Sequence, residues 1–154
     1  MNLDHVLYSC LGYASLEKIS HRLFPVFGTR VTSTVNAIGT SAICLLFLNN
    51  FISNDTFSKS LQINCLGYFL VDTYAIVLTK KKTIYQLTMA VHHLIAIYWL
   101  FILTKYFHRE TANFFITELS TPFINICFYE KQVGRDSGLV FIGSGIVAWN
   151  LFLW

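Results

Sequence analysis

His92 and His93 stand side by side in an apolar run at 84–104, with Asp72 in the run before it and Glu118 in the run after. Imidazoles and carboxylates pass protons near neutral pH, so the set points to a general base or nucleophile with an orienting acid. A run of this length matches the roughly 20 residues that a helix needs to cross a bilayer. An ionisable group at that depth costs about 3 kcal/mol on insertion scales, which makes each one a functional hypothesis. Consecutive residues on a helix point about 100° apart. The two histidines therefore divide their labour: one touches substrate, and a carboxylate fixes the tautomer of the other. His92, His93, Asp72 and Glu118 are the candidate catalytic residues.

The plainer alternative is that these groups tie helices together by hydrogen bonds, each worth under about 1 kcal/mol. Adjacent histidines are poorly spaced for a single metal ion, unlike a pair at i, i+4, so no metal is expected. Around the charged set the small polar residues fall into stripes. Glu118, Thr121, Pro122 and Asn125 share one helix face at i, i+3, i+4 and i+7. Pro122 has no N–H, so the Glu118 carbonyl is expected to lose its helical partner and crowd the same polar patch as Thr121. Tyr68 and Asp72 share a face on one run. Ser33, Asn36 and Thr40 form a small polar stripe on another, suited to close helix packing.

The elements that must carry these residues are membrane helices. Hydrophobic residues make up 55% of the 154, charged residues 12%, and mean hydropathy is +0.55. A soluble domain carries about 25% charged residues, so lipid is the main solvent. Five apolar stretches, 31–52, 61–79, 84–104, 111–129 and 138–154, each reach the length of a span. The stretch 6–16 is too short to cross and reads as an interfacial or partial helix. The expectation is an all-α, polytopic transmembrane helix bundle of about five spans. It divides into an N-terminal helix at 1–29 and a membrane domain at 30–154.

Asp4 and His5 occupy the place where a secretory signal would carry positive charge. Cys10, Cys44, Cys65 and Cys127 form no Cys-x-x-Cys pair, and two of them lie inside apolar runs as small hydrophobes. The net charge of +3 is small and no Lys/Arg block exceeds three residues, so nucleic acid is not an expected partner. Basic residues set the orientation instead. Placing Lys80, Lys81 and Lys82 in the cytosol brings Lys18, Arg22, Arg30, Lys131 and Arg135 there too, leaving Lys59, Lys105 and Arg109 opposite. Counted from the cytosolic ends, Asp72 lies about eight residues in, His92 and His93 about nine and ten, and Glu118 about twelve. All four are expected within about one turn of the midplane.

Four motifs carry a resemblance to a known family: Arg30-Val-Thr-Ser-Thr-Val-Asn-Ala37, Gly67-Tyr-Phe-Leu-Val-Asp72, Met89-Ala-Val-His-His93 and Glu118-Leu-Ser-Thr-Pro-Phe-Ile-Asn125. Together they resemble the TLC domain, the lipid-sensing domain shared by ceramide synthases, translocation-associated membrane proteins and a group of smaller TLC-domain proteins. The likeness spans about 30–130 and is nearest the smaller members. It implies an endoplasmic reticulum protein that binds or senses membrane lipids and influences their composition. The lipid contacts it implies are Tyr68, Asp72, His92, His93, Thr121 and Asn125.

The alternative it implies is acyl transfer to a lipid amine or hydroxyl through the histidine pair, with acyl-CoA as co-substrate and no other cofactor. Lys80–Lys82 then reads first as a positive-inside anchor and second as a contact for the coenzyme's phosphates. Expected partners are membrane lipids, with a homo-oligomer left open. Three departures from the family pattern favour sensing over catalysis. Asn36 stands where the pattern has histidine, Thr121 falls near an expected second acid, and a further span is expected after Trp154, as in a truncated member. A proton relay ranks last, because the internal repeats of transporters are missing.

Overall fold

Backbone polar groups in lipid must be satisfied within the chain, and a helix does this within one segment. A computed structural model of the chain describes residues 3–24, 28–78 and 83–153, and each of its regular elements is helical. In order they are α1 (Leu3–Leu23), α2 (Gly28–Leu48), α3 (Asn54–Leu78), α4 (Ile84–Tyr98), α5 (His108–Ile116), α6 (Thr121–Gln132) and α7 (Leu139–Leu153). A π-helical turn, Trp99–Leu103, extends α4, and a 3-10 segment, Thr117–Ser120, joins α5 to α6. Three stretches are long and apolar enough to cross a membrane: Arg30–Leu48, Asn54–Leu78 and Gln86–Leu103.

Local chemistry sets the helix ends. Thr83 and Gln86 form a reciprocal capping box at the start of α4. At the end of α6, Gly134 adopts φ 73° and the Arg135 N–H bonds the Glu130 carbonyl at 2.8 Å, a Schellman-type stop. The π turn reroutes its carbonyls: the Thr104 N–H reaches Trp99 O at 3.2 Å, and Gln62 of α3 donates to Leu100 O at 3.0 Å.

Two expectations need correction. The N-terminal region is not a short helix over 6–16, because α1 runs from Leu3 to Leu23 and packs into the bundle. Val6, Tyr13 and Ser20, seven residues apart, are its buried face against α2 and α3. Glu17 and His21, one turn apart at 3.8 Å, accommodate the charges in its last turns. α1 comes so close to α3 at Gly67 that a Cβ there would lie 2.9 Å from the Ser9 carbonyl carbon. The second correction concerns 111–129, which is α5, a 3-10 segment and most of α6 rather than one continuous helix.

The remaining packing places the site. α2 sits centrally, touching α1, α3, α5 and α6, with Asn36, Ala37, Thr40, Ser41 and Cys44 buried along it. Among the described residues α4 packs against α3 and makes no backbone approach to α5 or α6. α6 pairs with α7. Large apolar side chains such as Leu45, Leu70, Leu87, Leu94 and Ile146 point outward, as lipid-facing helices require.

Candidate functional site

α3 and α4 run antiparallel, bringing Asp72 and Thr73 level with His93. The His93 Nδ1 lies 3.5 Å from Asp72 Oδ2 and 3.2 Å from Thr73 Oγ1. Its ring packs against Phe69 (4.9 Å between centroids) and edge-on to Tyr68 (5.7 Å), leaving the side chain 1% exposed. His93 is thus held in place from every side. His92, turned about 100° away, is 44% exposed, and its Nε2 lies 3.7 Å from Glu118 Oε1. That pair bridges the seam between α4 and the 3-10 segment, whose backbones stay apart. The four ionisable groups form two pairs on adjoining faces of α4, with the two imidazole rings 5.7 Å apart between centroids.

Thr121 donates its hydroxyl to Glu118 Oε2 at 3.0 Å, fixing the carboxylate. The Glu118 carbonyl is not left free by Pro122, as expected from the sequence. The chain tightens to 3-10 geometry there and the Thr121 N–H takes that carbonyl. Asn125 belongs to the same stripe but turns away from the histidines. It is 1% exposed, and its Nδ2 donates to Arg30 O (3.1 Å), Ser33 Oγ (3.1 Å) and Thr34 Oγ1 (2.9 Å) of α2. Its Oδ1 accepts from Arg30 Nη1 at 3.4 Å. Asn125 ties α6 to α2 and offers no free polar atom to a ligand.

A cavity of about 300 Å³ lies between α2, α3 and α4. Arg30 and Ser33 line it from α2, Tyr68, Asp72 and Ile76 from α3, and Thr83, Gln86 and Met89 from the start of α4. Asp72 therefore has two faces, one on the cavity and one toward His93. Arg30 also lies over the Phe128 ring at 4.1 Å, so α6 backs this wall. The cavity sits at the end of the bundle where α3 leads into α4. The Lys80–Lys82 cluster falls outside the described residues.

A second polar group joins three helices nearby, and it adds Tyr13 and Asn64, which the sequence did not single out, to Asn36 and Thr40 of the packing stripe. Tyr13 Oη donates to Asn64 Oδ1 (2.7 Å), and Asn64 Nδ2 reaches Asn36 Oδ1 (3.2 Å) and Thr40 Oγ1 (3.0 Å). Asn36, the residue that departs from the family pattern, is thus an acceptor inside a satisfied network. Extending the Tyr68–Asp72 face back one turn reaches Asn64, which is the signal that would have found it. Thr73 carries no such signal, since only the rotation of α4 reveals its role.

The model of the TLC domain matches residues 26–154 of the chain. The chain belongs to the TLC-domain family. Searches of curated proteins and of solved structures each return no match. As a TLC-domain protein it is a membrane protein of a lipid-related family, in keeping with its three long apolar helical stretches. The matched region contains every residue of both His–carboxylate pairs and all of the cavity wall named above.

Proposed function

We propose that this TLC-domain protein binds a membrane lipid by its polar headgroup in the cavity between α2, α3 and α4, and through that binding senses or adjusts membrane lipid composition in the endoplasmic reticulum. The observation that carries this reading is the mixed lining: a cation (Arg30), an anion (Asp72), hydroxyls (Ser33, Tyr68, Thr83) and an amide (Gln86), closed by Ile76 and Met89. Polar groups of both signs beside apolar walls suit a headgroup with its chains leading toward lipid. His93, whose Nδ1 also meets the Thr73 hydroxyl, stands behind Asp72. In this reading His93 is a positioning residue, and the His92–Glu118 pair holds the seam beside the cavity.

The half-exposed His92 supports a second reading, acyl transfer from acyl-CoA. Nδ1 of His92, the ring nitrogen that Glu118 does not face, would take the proton of a lipid amine or hydroxyl as the acceptor atom attacks the thioester carbonyl. Glu118, itself held by Thr121, would stabilise the imidazolium. The proton would then pass to the departing thiolate. Cells lacking related activity should be given empty vector, wild type or the His92→Ala/His93→Ala double variant, and their ceramides and phospholipid acyl chains quantified. Sensing predicts shifts in existing lipid classes without a new acylated product, whereas catalysis predicts a product that vanishes with the double variant. Identical profiles for empty vector and wild type overturn both readings.

A further inference from the structure

A second cavity, of about 450 Å³, lies on the outer side of the bundle between α6 and α7, apart from both histidine pairs. Its walls are Phe128, Phe141, Trp149 and Phe152, its floor opens at Gly145, and its one charged lining residue is Lys131. From Phe141 to Phe152 the slot follows α7 for about 16 Å. Cys127 pins the two helices together by bonding its Sγ to Phe141 O at 3.4 Å. The neighbouring Glu130 is taken by Arg135 at 2.8 Å. Lys131 is exposed, with no ion pair among the described residues.

We infer that this groove holds one acyl chain of an anionic phospholipid, with the headgroup phosphate on Lys131. The walls are the solvent a chain seeks, while a lysine at the rim can extend its stem along them and keep its ammonium at headgroup level. Lys131 lies at the same end of the bundle as the α3–α4 connection, the side that the basic residues assign to the cytosol. Anionic lipids populate that leaflet, and a lysine near its surface favours them about fivefold. This site shares no lining residue with the Asp72 cavity and stands whether or not that cavity holds a lipid.

Brominated-chain lipids quench tryptophan on contact, and Trp149 lies in the groove wall. The full chain is reconstituted in phosphatidylcholine vesicles containing increasing fractions of brominated phosphatidylserine or brominated phosphatidylcholine. The Trp149 contribution is taken as the difference from Trp149→Phe. Half-quenching is expected at a mole fraction of about one-sixth for the serine lipid against about one-half for the choline lipid, a fivefold preference in lipid exchange. Lys131→Gln should equalise the two. Gly145→Leu should also abolish the preference by filling the groove, since a Cβ there meets only Cys127 Sγ at an ordinary 3.8 Å. Gly143→Leu puts the same bulk on the same helix where a Cβ meets nothing within 4 Å, and should leave the preference intact. Equal quenching by both lipids in the wild type, or a preference that survives Lys131→Gln, overturns the inference. So does protection of Trp149 from both lipids, which would mean that protein rather than lipid covers the groove.

Discussion

Asn125→Ala tests whether the stripe after the histidines is a binding surface or a strut. The amide has two N–H donors for three acceptors on α2, at 2.9, 3.1 and 3.1 Å, and its carbonyl takes a longer bond from Arg30 at 3.4 Å. That amounts to about three effective bonds, each averaging about 0.6 kcal/mol between membrane helices, so the change should cost about 2 kcal/mol. Truncating a side chain that is 1% exposed adds a small cavity, which raises the figure toward 3 kcal/mol. The assay is reversible unfolding in mixed micelles, run as a double-mutant cycle with Ser33→Ala. Because Ser33 shares the Asn125 donors, the double variant should be less destabilised than the sum of the singles by about 0.5 kcal/mol or more. Under conditions where Asn125→Ala remains folded, it should still carry the wild-type set of bound lipids. A loss below about 0.5 kcal/mol, or strict additivity with Ser33→Ala, refutes the strut.

Gly67→Ala should destabilise the chain by about 1–3 kcal/mol, since the new methyl group meets Ser9, and Ser9→Gly should recover only part because the Ser9 carbonyl carbon stays 2.9 Å away. Thermal unfolding of the two variants and their combination checks this. Tyr13→Phe should cost about 1 kcal/mol in the same assay by leaving Asn64 Oδ1 without its donor. Thr121→Val removes the hydroxyl that holds Glu118, so the ring resonances of labelled His92 should move more than those of His93, whose ring lies 5.7 Å away and is held by Asp72 and Thr73. Equal movement of both rings would mean that Glu118 holds the two histidines as one unit.

The charged residues were legible in the sequence because lipid makes them expensive: His92, His93, Asp72 and Glu118 stand out in runs that hardly admit charge. Their division into two pairs was not legible, since it depends on how α4 rotates over α3 and on the open seam between α4 and the 3-10 segment. Asn125 lay in the right stripe yet faces α2, because a helix face with polar residues does not announce its partner. Uncharged polar groups were the larger omission: Asn64 and Thr73 cost little to insert, so they leave a weak trace in hydropathy. The length of α1 was hidden for a related reason, as the charges after Leu16 end the apolar pattern without ending the helix. The bend before α6 was half visible. Pro122 marked the place, but the 3-10 turn that satisfies the Glu118 carbonyl is a property of the folded backbone.

The central claim, that the Asp72 cavity holds the polar end of a membrane lipid, is tested most directly by photolabelling with a phospholipid whose reactive group sits next to the phosphate. Digestion and mass spectrometry of the labelled chain should place the adduct on α3 around Tyr68–Ile76 and on the first turns of α4, and Ile76→Trp, which fills the cavity, should remove it. Labelling confined to outward-facing residues such as Leu87 and Leu94, or labelling in the cavity that Ile76→Trp leaves unchanged, would contradict the account.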